Sequence, residues 1–279
     1  MLRPPTAEDI TELVKSALEE DLGPGDITTE SIIDPAQIAS GEAVAREPLV
    51  LCGQEIFRAV FKRLDPDVSF TQKNFKDGDK LEKDTVIIKF SGKCRELLIG
   101  ERTALNIMQR LSGIATLTRK YVDRAKPVTV LDTRKTTPGL RVFEKYAVRC
   151  GGGTNHRFGL FDAILIKDNH IKAAGGIAEA VRRVREKNLP NGKIEVETAT
   201  LKEVEEALEA GADRILLDNM PMDMIRSAVE TVQRRVPLEV SGGITYERLD
   251  EISKSGVDFV SIGALTHSAG AVDISMNLY

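Results

Sequence analysis

The sequence predicts an α/β protein whose larger part is an incomplete, TIM-like α/β barrel. Three observations lead to that expectation. After Pro127 the chain repeats a pattern of strand, loop and helix. The strands are short apolar runs rich in β-branched residues, the kind buried in parallel sheets. The last residues of five of them, Lys167, Glu197, Asp218, Ser241 and Gly263, stand 30, 21, 23 and 22 residues apart. The later spacings fit a minimal strand-plus-helix unit.

The elements follow in chain order. Residues 6–21 form an amphipathic helix, with Thr6 as cap, Asp9 completing a weak capping box and Leu13, Val14, Ala17 and Leu18 on one face. Gly23-Pro24-Gly25 stops it. Residues 27–94 alternate short apolar runs (41–45, 49–52, 86–90) with turn signals such as Asp77-Gly78-Asp79. That texture predicts a small antiparallel sheet with a helix over 54–64. Residues 96–125 read as helix with an interruption at Ser112-Gly113. On spacing alone, Glu101 and Arg102 within it make an internal salt bridge. Six barrel strands follow, at 129–132, 163–167, 194–197, 214–218, 238–241 and 259–263, with helices over 201–210 and 222–235. A full barrel needs eight strands; a seventh is expected near 153–156.

Composition narrows the function. The chain has 279 residues, 42% of them hydrophobic, enough for a sizeable core. A formal net charge of -4, few aromatics and no Trp argue against a nucleic-acid binder. No apolar run reaches the roughly 20 residues needed to span a bilayer. The start, MLRPPTAEDI, lacks the order of a signal peptide, so a cytoplasmic protein is expected. Cys52, Cys94 and Cys150 lie far apart and imply neither a disulfide framework nor, with three His, a zinc site.

Against that acidic background, residues 130–170 carry seven Lys and Arg against four Asp and Glu. This predicts a pocket for a ligand with several negative charges. In a barrel the C-terminal strand ends share one mouth. There Arg134, Lys135, Arg157 and Lys167 suit carboxylates or phosphates, and His156 offers a further hydrogen bond. Glu197 and Asp218 suit Mg²⁺ or sugar hydroxyls, or simply neutralise Lys167. Ser241-Gly242-Gly243 and Gly263-Ala264 let backbone N–H groups approach a phosphate. A phosphoribosyl diphosphate together with a dicarboxylic acid satisfies all three chemistries.

At these residues the chain resembles the quinolinate phosphoribosyltransferase family, the decarboxylating enzymes that form nicotinate mononucleotide for NAD synthesis. The resemblance rests on EDLGPGDITT, ERTALNIMQRLSGIAT, DTRKTTPGLR, GGGTNHRFGL, ILIKDNH, IEVET, ILLDNM, EVSGGI and SIGALTHS, in family order along nearly the whole chain. It implies an N-terminal α/β sandwich over residues 1–111, with the tail 269–279 returning to it, and a barrel domain over 112–268. It implies quinolinate among Thr133, Arg134, Lys135, His156, Arg157 and Lys167. The phosphoribosyl part falls against Glu197, Asp218, Ser241, Gly242, Gly243, Ile262, Gly263 and Ala264, with Mg²⁺ accompanying the diphosphate. It further implies a homodimer or larger assembly with a shared active site, Arg102 reaching the neighbour's quinolinate. Lys135, Lys167, Glu197 and Asp218 are the expected catalytic groups. Three alternatives stay open: transfer to another pyridine or azole acid, Schiff-base aldolase chemistry on Lys167, and a non-catalytic phosphate-ligand sensor.

Overall fold

The computed structural model describes residues 4–72, 75–189 and 192–279. The chain divides into two compact units. The first comprises Met1–Arg119, Thr137–Gly152 and Ser268–Tyr279; the second comprises Lys120–Thr136 and Gly153–His267. The helix Arg141–Cys150 thus groups with the first unit, although its sequence lies between two barrel strands. No helix among the described residues is long and apolar enough to cross a membrane.

In the first unit, Thr6 caps the helix Ala7–Leu22 as its sequence requires. The Asp9 amide donates to Thr6 Oγ1 at 3.2 Å, and the Thr6 amide donates back to Asp9 Oδ2 at 2.7 Å. The strands are β1 (Ile38–Ala45), β2 (Leu49–Val50), β3 (Ser69–Gln72), β4 (Lys80–Leu81) and β5 (Val86–Lys93). β1 and β3 flank β5 in an antiparallel sheet, while β2 pairs with β4. Phe57 and Phe61 of the helix Gln54–Leu64 pack with Phe90 of β5, their ring centroids 5.0 to 5.9 Å apart. Aromatic clusters of this kind dominate the energetics of a small core.

The expected interruption at Ser112-Gly113 is absent, since the helix Cys94–Ala125 runs unbroken. Gly113 serves close packing. A Cβ there would stand 2.0 Å from the Gly270 carbonyl oxygen, so only glycine lets the C-terminal segment lie against the helix.

The second unit holds six parallel strands, β6 (Thr129–Leu131), β7 (Ile164–Ile166), β8 (Ile194–Thr198), β9 (Arg214–Asp218), β10 (Leu238–Ser241) and β11 (Phe259–Ser261). Their order, β6-β11-β10-β9-β8-β7, leaves β6 and β7 as the two edges of an open barrel. The expected seventh strand is not formed. Thr154 makes a single parallel bridge to Leu131. Its amide donates to the Val130 carbonyl at 2.9 Å, and its carbonyl accepts from the Asp132 amide at 3.1 Å. The run Gly151-Gly152-Gly153 before it offers no side chains for a strand to pack. The last strand, β12 (Ile274–Leu278), pairs antiparallel with β1 and completes the first unit's sheet.

Candidate active site

Alternation along the barrel strands decides which residues face the interior. In β8, Glu195 and Glu197 share one face; in β9, Arg214 and Asp218 do; in β10, Glu239 and Ser241 do. The last member of each set reaches the C-terminal mouth. There a cavity of about 780 Å³ opens, a size suited to a small-molecule ligand. It is lined by Thr133, Arg134, Lys135, His156, Arg157, Lys167, Glu197, Asp218, Ser241, Gly242, Gly243, Ile262, Gly263 and Ala264. Every barrel residue that the sequence singled out therefore meets the same space. Arg102 does not line it. It lies in the first unit, its side chain 61% exposed and 3.5 Å from the Glu101 carboxylate.

One side of the cavity is cationic. Burial, and then the charge of Arg134, hold the Arg157 guanidinium below its usual pKa. Two guanidiniums close enough to repel each other are stabilised by an anion between them. Asp132 fixes the segment that carries this group. Its fully buried carboxylate accepts from Asn155 Nδ2 at 2.6 Å and from the His156 amide at 2.8 Å.

The other side combines carboxylates and glycine turns. Lys167 Nζ lies 2.6 Å from Glu197 Oε2, so Glu197 does neutralise Lys167, as the blander expectation had it. Asp218 Oδ2 accepts instead from Asn219 Nδ2 at 2.8 Å. Gly242 and Gly243 have φ of +88° and +56°, and a Cβ on Gly242 would stand 2.2 Å from Asn219 Oδ1. The Asn219 side chain lies so close to this backbone that only glycine fits at 242. A Cβ on Gly263 would meet Lys135 Cδ at 3.0 Å, which sets the Lys135 stem beside the second glycine turn. The Lys135 carbonyl accepts from Thr266 Oγ1 at 2.8 Å.

Below the mouth lies a buried polar cluster that sequence reading missed. His156 left two roles open, a hydrogen bond to the anion or a structural one, and here both its ring nitrogens face protein partners. Nδ1 accepts the Arg157 amide at 2.8 Å, while Nε2 lies 3.1 Å from Glu195 Oε2 and 3.5 Å from Glu239 Oε1. Arg214 NH1 donates to Glu239 Oε2 at 3.0 Å, and the Ser261 hydroxyl also bonds Glu239. Burial, then the charge of Glu195, push the Glu239 carboxyl up to about 7. Burial works against charge on His156, but the Glu195 hydrogen bond and both carboxylates raise its pKa overall. Burial likewise opposes charge on Glu195, and His156 outweighs it and lowers that pKa. Glu195 and His156 thus favour each other's charged forms, and Glu239 is the member whose protonation is pushed towards neutrality. Glu239, Ser261 and His156 all line the cavity floor. The available signal was a carboxylate inside two apolar strands, IEVET and LEVS, at the same parity as Glu197 and Ser241.

A barrel with a cationic wall, strand-end carboxylates and glycine turns at one mouth defines a phosphate- and carboxylate-binding α/β-barrel protein. Comparison with known proteins narrows that class. The family model described as "Quinolinate phosphoribosyl transferase, N-terminal domain" matches residues 26–112, and the one for the C-terminal domain matches 114–277. The chain is 46% identical over 272 residues to a probable nicotinate-nucleotide pyrophosphorylase (carboxylating) of Bacillus subtilis, covering 96% of this chain and 93% of that protein. It is 43% identical over 299 residues to the chloroplastic nicotinate-nucleotide pyrophosphorylase (carboxylating) of Arabidopsis thaliana, covering 99% and 85%. Among solved structures, NadC from Streptococcus pyogenes superposes with a TM-score of 0.95 at 43% identity, covering 98% of both chains. The nicotinate-nucleotide pyrophosphorylase of Francisella tularensis gives 0.93 at 43%, covering 98% and 96%. The chain belongs to the quinolinate phosphoribosyltransferase family.

Proposed function

We propose that the chain transfers the phosphoribosyl group of 5-phosphoribosyl 1-diphosphate to quinolinate with loss of CO₂. The products are nicotinate mononucleotide and diphosphate, a step of de novo NAD biosynthesis. The observation that carries this reading is the convergence of four cations, two carboxylates and a glycine turn on one cavity. Family membership supports the same reaction. Arg134 and Arg157, with Lys167 shared with Glu197, offer a dicarboxylate more positive charge than a monocarboxylate needs, and Lys135 is left for the diphosphate. The 2.6 Å Lys167–Glu197 pair speaks against a Schiff-base aldolase, whose lysine is activated by desolvation or a cationic neighbour rather than by a carboxylate.

The side chains then divide the work. The cationic wall orients quinolinate so that its ring nitrogen faces the anomeric carbon and water is kept out. As diphosphate leaves, positive charge builds on the sugar, where Glu197 and Asp218 stabilise it. Lys135, beside the Gly263 turn, meets charge developing on the diphosphate. The ring, now carrying a quaternary nitrogen, is its own electron sink for decarboxylation, so no side chain acts as a nucleophile. Mg²⁺ belongs to the same proposal, and when bound it neutralises charge on the leaving diphosphate. Glu197 and Asp218 fit it, because they are oxygen donors ending adjacent strands and Mg²⁺ takes one or two carboxylates alongside phosphates.

The exposure of Arg102 supports a shared site in a homodimer or larger assembly, with this arginine reaching the neighbour's quinolinate. A cytoplasmic location completes the proposal. Supplying quinolinate or nicotinate with phosphoribosyl diphosphate and Mg²⁺ tests substrate choice. Nicotinate mononucleotide should form from quinolinate and not from nicotinate, and the reverse preference would sink the reading.

A further inference from the structure

The first unit holds a second cluster of reactive side chains, with one member buried and two half-buried. Cys52 and Cys150 stand 98 residues apart in the chain. Their sulfurs and an Asp77 carboxylate oxygen nevertheless all lie within 4.8 Å of one another. The cysteines lie far apart in sequence and implied no disulfide framework, and the fold brings two of them together. Cys52 lies between β2 and the helix Gln54–Leu64, and Cys150 ends the helix Arg141–Cys150. Cys52 is held in place through its backbone, since its amide donates to Ser112 Oγ at 3.0 Å and its carbonyl accepts the same hydroxyl at 3.1 Å.

Asp77 has a structural role already. Its Oδ2 accepts the Gly53 amide at 2.9 Å and the Tyr146 hydroxyl at 3.1 Å. Those donors leave the carboxylate poorly placed to hold a metal. The two sulfurs have each other. A hydrogen bond from Cys52 draws the Cys150 thiol below its usual pKa against the effect of burial, while burial pushes Cys52 up. Cys150 is also partly exposed, whereas Cys52 is enclosed. A thiolate-prone, reachable cysteine beside an enclosed thiol is the arrangement of an attacking and a resolving pair.

We propose that Cys52 and Cys150 form a redox-active dithiol that a peroxide converts to an intrachain disulfide. The Cys150 thiolate attacks one peroxide oxygen and the O–O bond breaks. Hydroxide leaves and takes up a proton as water, and Cys150 becomes a sulfenic acid. The Cys52 sulfur then attacks the Cys150 sulfur. The S–O bond breaks, and the second water departs with the Cys52 proton. Two thiols lose two electrons to one peroxide, and two waters form. Cys150 leads directly into Gly151-Gly152-Gly153 and so towards His156 and Arg157, so closure restrains the start of that segment.

The test uses the full native chain, reduced and then exposed to hydrogen peroxide. After quenching, denaturation and alkylation, intact mass and a non-reducing peptide map are read. The oxidised fraction should lose about 2 Da, carry label only on Cys94 and yield a Cys52–Cys150 linked peptide. A thiol reductant should restore all three labels. Cys150→Ser should keep both Cys52 and Cys94 open to label at the same peroxide dose. Three labelled cysteines in the treated wild type would overturn the proposal, as would Cys150 sulfinic acid with Cys52 still labelled. A stoichiometric zinc ion that is lost in Cys150→Ser would overturn it too, because the sulfurs would then be ligands.

Discussion

Replacing Gly242 by alanine tests the turn proposed to face the phosphate without touching a charge. The new Cβ would lie 2.2 Å from Asn219 Oδ1, 2.4 Å from its Cγ and 2.8 Å from its Nδ2, on backbone with φ of +88°. A left-handed conformation costs an L-residue roughly 1–2 kcal/mol. The clash adds to that, because Asn219 must move and it is bonded to Asp218 at 2.8 Å. If strain of that size falls on the bound phosphate, affinity drops about 5- to 30-fold. Initial rates with each substrate varied against saturating partner give the readout. The KM for phosphoribosyl diphosphate should rise by that factor, and the KM for quinolinate should stay within about twofold of wild type. Gly243→Ala supplies a comparison, with φ of +56° and its nearest atoms 3.9 Å away, so it carries strain without a clash and should do less. Gly139→Ala, at φ of +83° with nothing within 4 Å and outside the cavity, should lower thermal stability and leave both KM values alone. Equal rises in both KM values for Gly242→Ala, or a larger effect from Gly243→Ala, would refute the reasoning.

Other expectations follow from the same geometry. Arg134→Ala should cut kcat/KM for quinolinate by about 10- to 150-fold, the loss of a charged hydrogen bond worth roughly 1.5–3 kcal/mol; near-wild-type rates at low quinolinate would contradict this. Glu239 holds a proton in the folded chain up to about pH 7, whereas its ordinary value is 4.5. The folded state therefore binds more protons between those values, and stability falls as pH rises through that window. The difference is on the order of 3 kcal/mol. Urea titrations should show that fall, and Glu239→Gln should flatten it; wild-type stability that rises across the window would refute the assignment. Arg102→Ala should inactivate the enzyme, and mixing it with Arg134→Ala should restore part of the activity through hybrid assemblies. No recovery despite proven subunit exchange would argue against a shared site.

Much of the barrel was legible because parallel strands and strand-end chemistry leave a simple trace. Buried strands read as apolar runs, and their C-terminal neighbours share a mouth whatever the loops do. That logic located Lys167, Glu197, Asp218 and the Ser241–Gly243 turn without any coordinates. It failed where partners are distant in sequence. Glu195, Arg214 and Glu239 look like odd polar residues in apolar strands until three strands align them beside His156. Gly113 reads as a helix breaker because the Gly270 backbone that requires it lies 157 residues further on. Cys52 and Cys150 implied no pairing for the same reason. The role given to Arg102 came from family resemblance, since its local spacing offered only the weak pair with Glu101.

The central claim is that one site joins phosphoribosyl transfer to decarboxylation. It is tested most directly by measuring CO₂ and diphosphate in the same reaction, with quinolinate and phosphoribosyl diphosphate supplied. The account predicts both in equal amounts, neither appearing when either substrate is left out. Diphosphate release without CO₂, or CO₂ from quinolinate without phosphoribosyl diphosphate, would contradict it.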